Sequence, residues 1–209
     1  MKIEVQNNIS DIKVSINHNS DGSVAVLLTE TKTKDNMTCK KLGSVKPGET
    51  VIIGHHAYIV LSHGKDTTAV IAKNPVRNMV FGNDGDYAKS NIRAYCNNEF
   101  YEQLCREIGK DNIIPHTVNL VSDDGSNKGV SVKDNVSILT CDLYRRYREF
   151  LPPLKSEWWT ATRFTTFDKD LSCTVVLVLG GNGFPCMNRT DYSAGVRPFC
   201  ILNSSILVI

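Results

Sequence analysis

The sequence predicts an α+β fold with a mainly antiparallel sheet, two helical segments and an N-terminal β-hairpin. Two observations support this prediction. Short β-prone runs separated by turn signals fill the first and last thirds of the chain, whereas helical periodicity is confined to two stretches in the middle. Strands at both ends with helices between them favour antiparallel pairing over the alternating strand–helix order of a parallel sheet.

The N-terminal segment has the pattern of a β-hairpin. Residues 13–17 and 24–28 are β-prone, and the turn sequence Asn19-Ser20-Asp21-Gly22 lies between them. We expect residues 1–41 to form this appendage and residues 42–209 to form the main domain. Because a two-stranded ribbon is marginally stable alone, the hairpin is expected to dock on the main domain or on a second copy of the chain, which would make a homo-oligomer.

The main domain is predicted to begin with a three-stranded meander over residues 50–53, 57–61 and 68–72. A helix is then expected over residues 87–108, with Ser90 as its N-cap and a break near Asn97-Asn98.

The second helix is predicted from a single apolar stripe, and strands follow it. Thr140 or Asp142 is its candidate N-cap, and Pro152-Pro153 ends it. The later strands are expected near residues 136–139, 158–162, 174–179 and 196–202, with a hairpin turn at 180–183. The stripe consists of Leu143, Tyr144, Tyr147, Phe150 and Leu151.

Composition excludes several function classes. The net charge of +2 is too small for general binding to phosphate backbones. The N-terminus has no apolar signal-peptide region, and no apolar stretch reaches the ~18 residues of a membrane span. The seven cysteines are scattered without a Cys-x-x-Cys pair, which favours reduced thiols over disulfides. We therefore expect a cytoplasmic protein without a membrane segment.

Three segments resemble a family of bacterial and phage proteins known as a domain of unknown function. Residues 87–101 are similar to its Ser-x-x-Arg-x-x-x-Asn-x-x-Phe helix signature, residues 134–140 and 158–162 to its later strands, and residues 195–202 to its closing Gly-Val-Arg-Pro strand. The resemblance covers residue 42 to the C-terminus. It implies a structural role for Arg93 and Asn97. More loosely, the closing strand and the segment that carries the two tryptophans resemble the C-type-lectin-like fold, which includes formylglycine-generating enzymes and phage tropism proteins.

One arginine, a pair of tryptophans and a pair of arginines are candidate structural or binding residues. Arg197 is expected to be a structural residue that pairs with a carboxylate, because an unpaired charge in an apolar strand is costly. Trp158 and Trp159 point to opposite faces of a strand, so one is expected in the core and the other nearer the surface, where it could bind a partner. Arg145 and Arg148 are expected to share the solvated face of the second helix and are candidate binding residues.

Metal, cofactor and catalytic sites are poorly supported. His55 and His56 are adjacent and diverge on a strand, and Asp123-Asp124-Gly125 is typical of a turn, so neither a metal nor a cofactor is predicted. The resemblance to formylglycine-generating enzymes suggests Cys186 and Cys200 as candidate thiols, but their spacing is wider and the surrounding residues differ.

The sequence therefore predicts a non-enzymatic binding protein of phage or mobile-element origin that recognises a protein partner, for example as a host-directed or anti-defence inhibitor. Two alternatives stay open: a virion receptor-binding or structural component, and a cysteine-dependent enzyme. Nucleic-acid binding through Arg145 and Arg148 is a further, weaker hypothesis, which predicts a continuous basic patch.

Overall fold

The computed structural model describes residues 39–126, 129–167 and 174–209 in full and two strands, 12–18 and 24–30, by their backbone. The chain divides into two units, residues 1–38 and 39–209. The division falls three residues before the predicted boundary because Lys40–Lys41 pairs with Leu207–Val208, near the end of the chain. The main unit therefore closes on itself through its first and last strands.

The first unit contains the predicted hairpin. Strands β1 (Ile12–His18) and β2 (Val24–Glu30) pair antiparallel over seven residues, in register from Ile12 opposite Glu30 to His18 opposite Val24. The predicted turn at residues 19–22 lies outside the described residues, as do residues 31–38.

The main unit consists of runs of short strands separated by short helices. The helices are α1 (Asn91–Tyr95), a π-helical turn (Cys96–Phe100), α2 (Tyr101–Ile108) and α3 (Cys141–Arg146), with 3₁₀ turns at Leu42–Ser44, Tyr87–Lys89, Lys110–Asn112 and Arg148–Phe150. The strands are β3 (Lys40–Lys41), β4 (Thr50–Ile53), β5 (His56–His63), β6 (Thr67–Ala72), β7 (Arg77–Val80), β8 (Ile113–Ile114), β9 (His116–Asn119), β10 (Ser131–Asp134), β11 (Val136–Ser137), β12 (Trp158–Arg163), β13 (Thr174–Val178), β14 (Pro185–Arg189), β15 (Ser193–Val196), β16 (Phe199–Asn203) and β17 (Leu207–Val208).

Two larger sheets organise these strands. One has the order β11-β16-β6-β5-β4, with β8 also pairing with β16, and the other has the order β14-β13-β12-β15-β7. Among the described strands every pairing is antiparallel except β12 with β15. The predicted α+β class with a mainly antiparallel sheet is confirmed, and so is the meander, which forms β4, β5 and β6.

The sheet that contains β5 and β6 is buried on both faces. Side chains such as Tyr58 and Val60 pack into one apolar cluster with α1 and α2, whereas Ile59 and Leu61 pack into a second cluster with α3. Successive residues of a strand point to opposite faces, so a strand covered on both sides must be apolar without alternation. This explains the uninterrupted run from residue 57 to residue 61.

The first long helix is continuous, and the predicted break at Asn97-Asn98 is wrong. Ser90 caps α1 as predicted, its hydroxyl accepting a hydrogen bond from the Arg93 amide at 3.0 Å. At Asn97 the helix widens into a π turn. The Asn97 amide donates to the Arg93 carbonyl and to the Val136 carbonyl and accepts from the Asn135 amide, so this side chain joins the widened turn to β11.

The second helix begins where predicted and is shorter. The Thr140 hydroxyl accepts the Leu143 amide at 3.2 Å and is the N-cap, while Asp142 lies inside the first turn. The α-helix ends at Arg146 and continues as the 3₁₀ turn, which brings Phe150 and the buried Leu151 against the second apolar cluster. The predicted apolar stripe is therefore confirmed over a tighter helical path.

The Gly-Val-Arg-Pro segment crosses between the two sheets. Val196 ends β15 in one sheet and Phe199 begins β16 in the other, so Arg197 and Pro198 form the crossover. Gly195 lies close to Pro75 and the Glu157 carbonyl, where a Cβ would collide with both. A glycine is therefore required at this close approach.

None of the helices in the described residues has the length and apolar character of a transmembrane span.

Candidate functional site

Trp158 and Trp159 point to opposite faces, as predicted, but neither is exposed. Trp159 packs edge-on against Phe81, with ring centroids 5.5 Å apart, and donates to the Met79 carbonyl at 2.9 Å. Trp158 packs edge-on against Tyr144 at 5.4 Å. Because β12 lies inside its sheet and both faces are covered, the prediction that one tryptophan lies nearer the surface is wrong.

Arg145 and Arg148 do not form a free basic face. Arg145 is half-exposed but makes ion pairs with Asp123 at 2.9 Å and Asp142 at 3.3 Å. Arg148 donates to the Leu151 carbonyl at 2.7 Å and to the Asn182 carbonyl at 3.3 Å. The first guanidinium is neutralised by two carboxylates and the second fastens the β13–β14 turn to the helix end. Arg145 is therefore exposed as predicted, whereas Arg148 is partly buried on backbone carbonyls.

Arg197 is 1% exposed, and the predicted carboxylate partner is absent among the described residues. Its guanidinium instead donates to the Ala72 carbonyl at 3.0 Å and to the Lys73 carbonyl at 3.1 Å, and lies 4.6 Å from the centre of the Trp158 ring. Burial lowers the pKa of Arg197 to about 10. Carbonyl oxygens at the end of β6 and an aromatic face take the place of a carboxylate.

Arg93 and Asn97 connect the first helix to the neighbouring strands. Arg93 binds the buried Asp134 carboxylate, with Nε at 2.8 Å and Nη2 at 2.7 Å from the same oxygen, and donates to the Ala88 carbonyl. Asn97 holds the backbone before β11, as described above. Both residues thus contact the protein's own groups.

The candidate thiols lie in different sheets. Cys200 is fully buried in β16, and burial raises its pKa far above the ordinary range, which disfavours a nucleophilic thiolate. Cys186 lies exposed on β14. The six described cysteines are free thiols, and Cys173 lies outside the described residues. The two thiols are not brought together as a cysteine-pair mechanism requires.

Strand β14 carries an exposed apolar run that the sequence analysis did not single out. Four consecutive residues, Phe184, Pro185, Cys186 and Met187, are exposed, with Phe184 at 65% and Met187 at 43%. We call this segment the β14 apolar edge. Three or four exposed apolar residues in succession are unusual on a soluble surface unless they have a function. The strand is the last in its sheet among the described strands.

The backbone of the β14 apolar edge is poorly suited to pair with a further strand. The Leu179 amide donates to the Phe184 carbonyl. Because hydrogen-bonded residues alternate along an antiparallel strand, the backbone N–H and C=O groups of residues 185, 187 and 189 point away from β13. Pro185 has no N–H, and the Arg189 amide donates to the Asn188 side chain at 2.8 Å. Proline and a local side-chain hydrogen bond are devices that protect sheet edges from strand addition. What this edge offers a partner is therefore its side chains.

A second exposed site lies at the β4–β5 turn, where His55 contacts the end of α2. His55 Nδ1 is 2.6 Å from Glu107 Oε1, and Gln103 Nε2 donates to the same oxygen at 2.9 Å. The His55 side chain is 82% exposed, whereas that of Glu107 is 8% exposed. Together with Arg106, these residues line a surface depression of about 610 Å³. Sequence analysis missed this pair because the two residues are 52 positions apart.

The turn geometry explains how His55 reaches Glu107. Ile53 pairs with His56, so Gly54 and His55 are the two central residues of a hairpin turn. Gly54 has φ +57° and His55 has negative φ, which is the pattern of a type II′ turn. A Cβ at Gly54 would overlap the Glu107 carboxylate. Burial alone would raise the pKa of Glu107, but hydrogen bonds from Gln103 and His55 lower it below its usual range.

Within the described residues, no group of three or more His, Cys, Asp or Glu side chains is arranged to hold a metal ion. The Asp123-Asp124-Gly125 segment is a turn as predicted, closed by the Gly125 amide and the Ser122 carbonyl at 2.8 Å. Comparisons with protein-family models, with curated proteins and with solved structures found no match to this chain.

Proposed function

We propose that this chain is a non-enzymatic binding protein that recognises a protein partner through the side chains of the β14 apolar edge. The observation that supports the proposal most directly is the run of four exposed apolar residues from Phe184 to Met187. Exposed aromatic and methionine side chains are enriched in the centres of protein interfaces, where they gain stability by leaving water. Nucleic acid, in contrast, would be attracted by basic groups.

The partner is expected to surround the edge of the sheet. Phe184 and Met187 are three positions apart on an extended segment, so their side chains leave opposite faces of the strand. A partner that buries both must contact the two faces at once, and it gains little from backbone pairing because Pro185 and Asn188 obstruct it. The expected interface is therefore a groove or cleft on the partner that receives the β13–β14 hairpin.

The origin and location of the chain belong to the same proposal. The resemblance of residues 42–209 to a bacterial and phage domain supports a phage or mobile-element source, with action in the cytoplasm of a bacterial host. A C-type-lectin-like arrangement is supported by the Gly-Val-Arg-Pro crossover between the sheets and by the pairing of β12, which carries both tryptophans, with β15. The N-terminal hairpin remains a candidate contact between copies of the chain.

Capture from bacterial lysate tests the proposal. We expect tagged wild-type protein to retain one stoichiometric protein partner through a salt wash, because apolar contacts are insensitive to moderate salt. The double substitution Phe184→Ser and Met187→Ser should weaken this binding by roughly thirtyfold or more, since interface anchors contribute at least about 2 kcal/mol. Affinity is then measured by titration calorimetry with the purified partner.

A matched control distinguishes the β14 apolar edge from general surface apolarity. Ile52 and Val80 are 42% and 41% exposed and lie on β4 and β7. The double substitution Ile52→Ser and Val80→Ser should leave the affinity unchanged. Equal loss of binding in both double variants, or retained binding in the β14 variant, would contradict the proposed interface.

A further inference from the structure

Among the histidines whose side chains the structure describes, His55 has one ring nitrogen on a carboxylate and the other without a partner. His63 uses both nitrogens, with Nδ1 2.9 Å from the Thr68 hydroxyl and Nε2 2.7 Å from the Val45 carbonyl. His116 is 9% exposed, and His56 packs against the Phe100 ring. No described residue lies within hydrogen-bonding distance of His55 Nε2, and the exposed His55 side chain lines the depression beside α2.

The Glu107 carboxylate favours one tautomer of this imidazole. In the neutral ring, an anionic oxygen 2.6 Å from Nδ1 favours the proton on Nδ1, which leaves the lone pair on Nε2. A carboxylate in this position orients the ring and stabilises the positive charge that develops when Nε2 forms a new bond. Glu107 is itself held by Gln103 and by the closeness of Gly54, so the orientation is built into the fold.

From this geometry we propose that His55 Nε2 is a phosphoryl-acceptor site, which takes a phosphoryl group from a donor that carries phosphorus on nitrogen or on an acyl oxygen. Arg106 lines the same depression and has no ion-pair partner among the described residues. A guanidinium there can neutralise the phosphoryl oxygens, whose negative charge must be compensated during transfer. The proposal is independent of the β14 apolar edge, which lies in the other sheet.

The transfer step balances without a redox partner. The Nε2 lone pair attacks phosphorus and forms an N–P bond, while the bond from phosphorus to the leaving nitrogen or acyl oxygen breaks and the leaving atom keeps its electron pair. The imidazole becomes an Nε2-phosphoimidazolium that retains its Nδ1 proton. The Glu107 carboxylate compensates that positive charge through the existing hydrogen bond.

Incubation of the full chain with phosphoramidate, and separately with acetyl phosphate, tests the proposal. We expect an acid-labile gain of one phosphoryl group at His55, detected by intact-mass and peptide mass spectrometry and by an N-linked phosphorus NMR signal. Labelling by phosphoramidate alone indicates an N–P donor class, and labelling by acetyl phosphate alone indicates an acyl phosphate class. No labelling at His55 by either reagent in folded protein would overturn the proposal.

The neighbouring histidine supplies the control. His55→Asn should abolish labelling, whereas His56→Asn should leave its rate unchanged. Glu107→Gln removes the charge that stabilises the imidazolium and should slow labelling by at least about tenfold, and the exposed Arg106→Gln should slow it as well. Equal labelling of His55 and His56 in wild-type protein would mean ordinary surface reactivity and would refute the assigned role of Glu107. Thermal unfolding of each variant verifies that it is folded.

Discussion

Replacement of Arg197 by alanine is expected to lower the free energy of unfolding by about 3 kcal/mol. The change leaves a cavity beside the Trp158 ring and removes a donor from the buried Ala72 carbonyl and from the partly buried Lys73 carbonyl. Removal of a buried charge recovers part of this loss, because burial of the guanidinium is itself unfavourable, as its pKa lowered to about 10 indicates. Packing and hydrogen bonding should outweigh that relief.

Urea unfolding of the purified protein measures the effect. Arg145→Ala is the control: Arg145 is half-exposed and makes two surface ion pairs, so its loss should cost about 0.5 kcal/mol or less. The m-value should stay constant in both variants. If Arg197→Ala is no more destabilising than Arg145→Ala, the crossover is not held by this guanidinium.

Replacement of Arg93 by leucine is expected to cost about 3 kcal/mol, the lower end of the loss typical when one partner of a buried ion pair is removed, because the Arg93 side chain is 31% exposed. The Asp134 side chain is 0% exposed and binds Arg93 at 2.7 Å, so leucine leaves a carboxylate buried without its compensating charge. The double variant Arg93→Leu and Asp134→Leu should recover part of the loss, because it removes the uncompensated charge as well.

Arg77 provides the comparison for this prediction. It pairs with Glu99 at 3.0 Å, but the two side chains are 50% and 70% exposed. Arg77→Leu should therefore change the free energy of unfolding by about 0.5 kcal/mol or less. A double variant at Arg93 and Asp134 no more stable than Arg93→Leu alone would show that the cost lies in lost packing rather than in the buried carboxylate.

Sequence patterns predicted the elements that depend on residues close together in the chain. The meander, the hairpin, the Ser90 cap and the apolar stripe of the second helix follow from short-range periodicity and turn chemistry. The π turn at Asn97 could not be predicted, because it depends on hydrogen bonds to Val136 and Asn135, about forty residues away in the chain.

The candidate sites depended more strongly on tertiary context. The cost of burying a charge predicts a carboxylate partner for Arg197, but the carbonyls at the end of β6 that replace it come from residues about 125 positions away in the chain. One of Trp158 and Trp159 is predicted nearer the surface, because nothing in the sequence shows that both faces of β12 are covered. The β14 apolar edge does have a local signal, since four apolar residues without alternation follow the 180–183 turn, but exposure is visible only in the fold.

Hydrogen exchange on the complex with the captured partner tests the central claim most directly. If the chain recognises a protein through the β14 apolar edge, the backbone amides of Phe184, Cys186 and Met187 should exchange more slowly in the complex than in the free protein. Amides of the β4–β5 turn and of α3 should be unaffected. Protection confined to those other surfaces, with the 184–187 amides unchanged, would contradict the account.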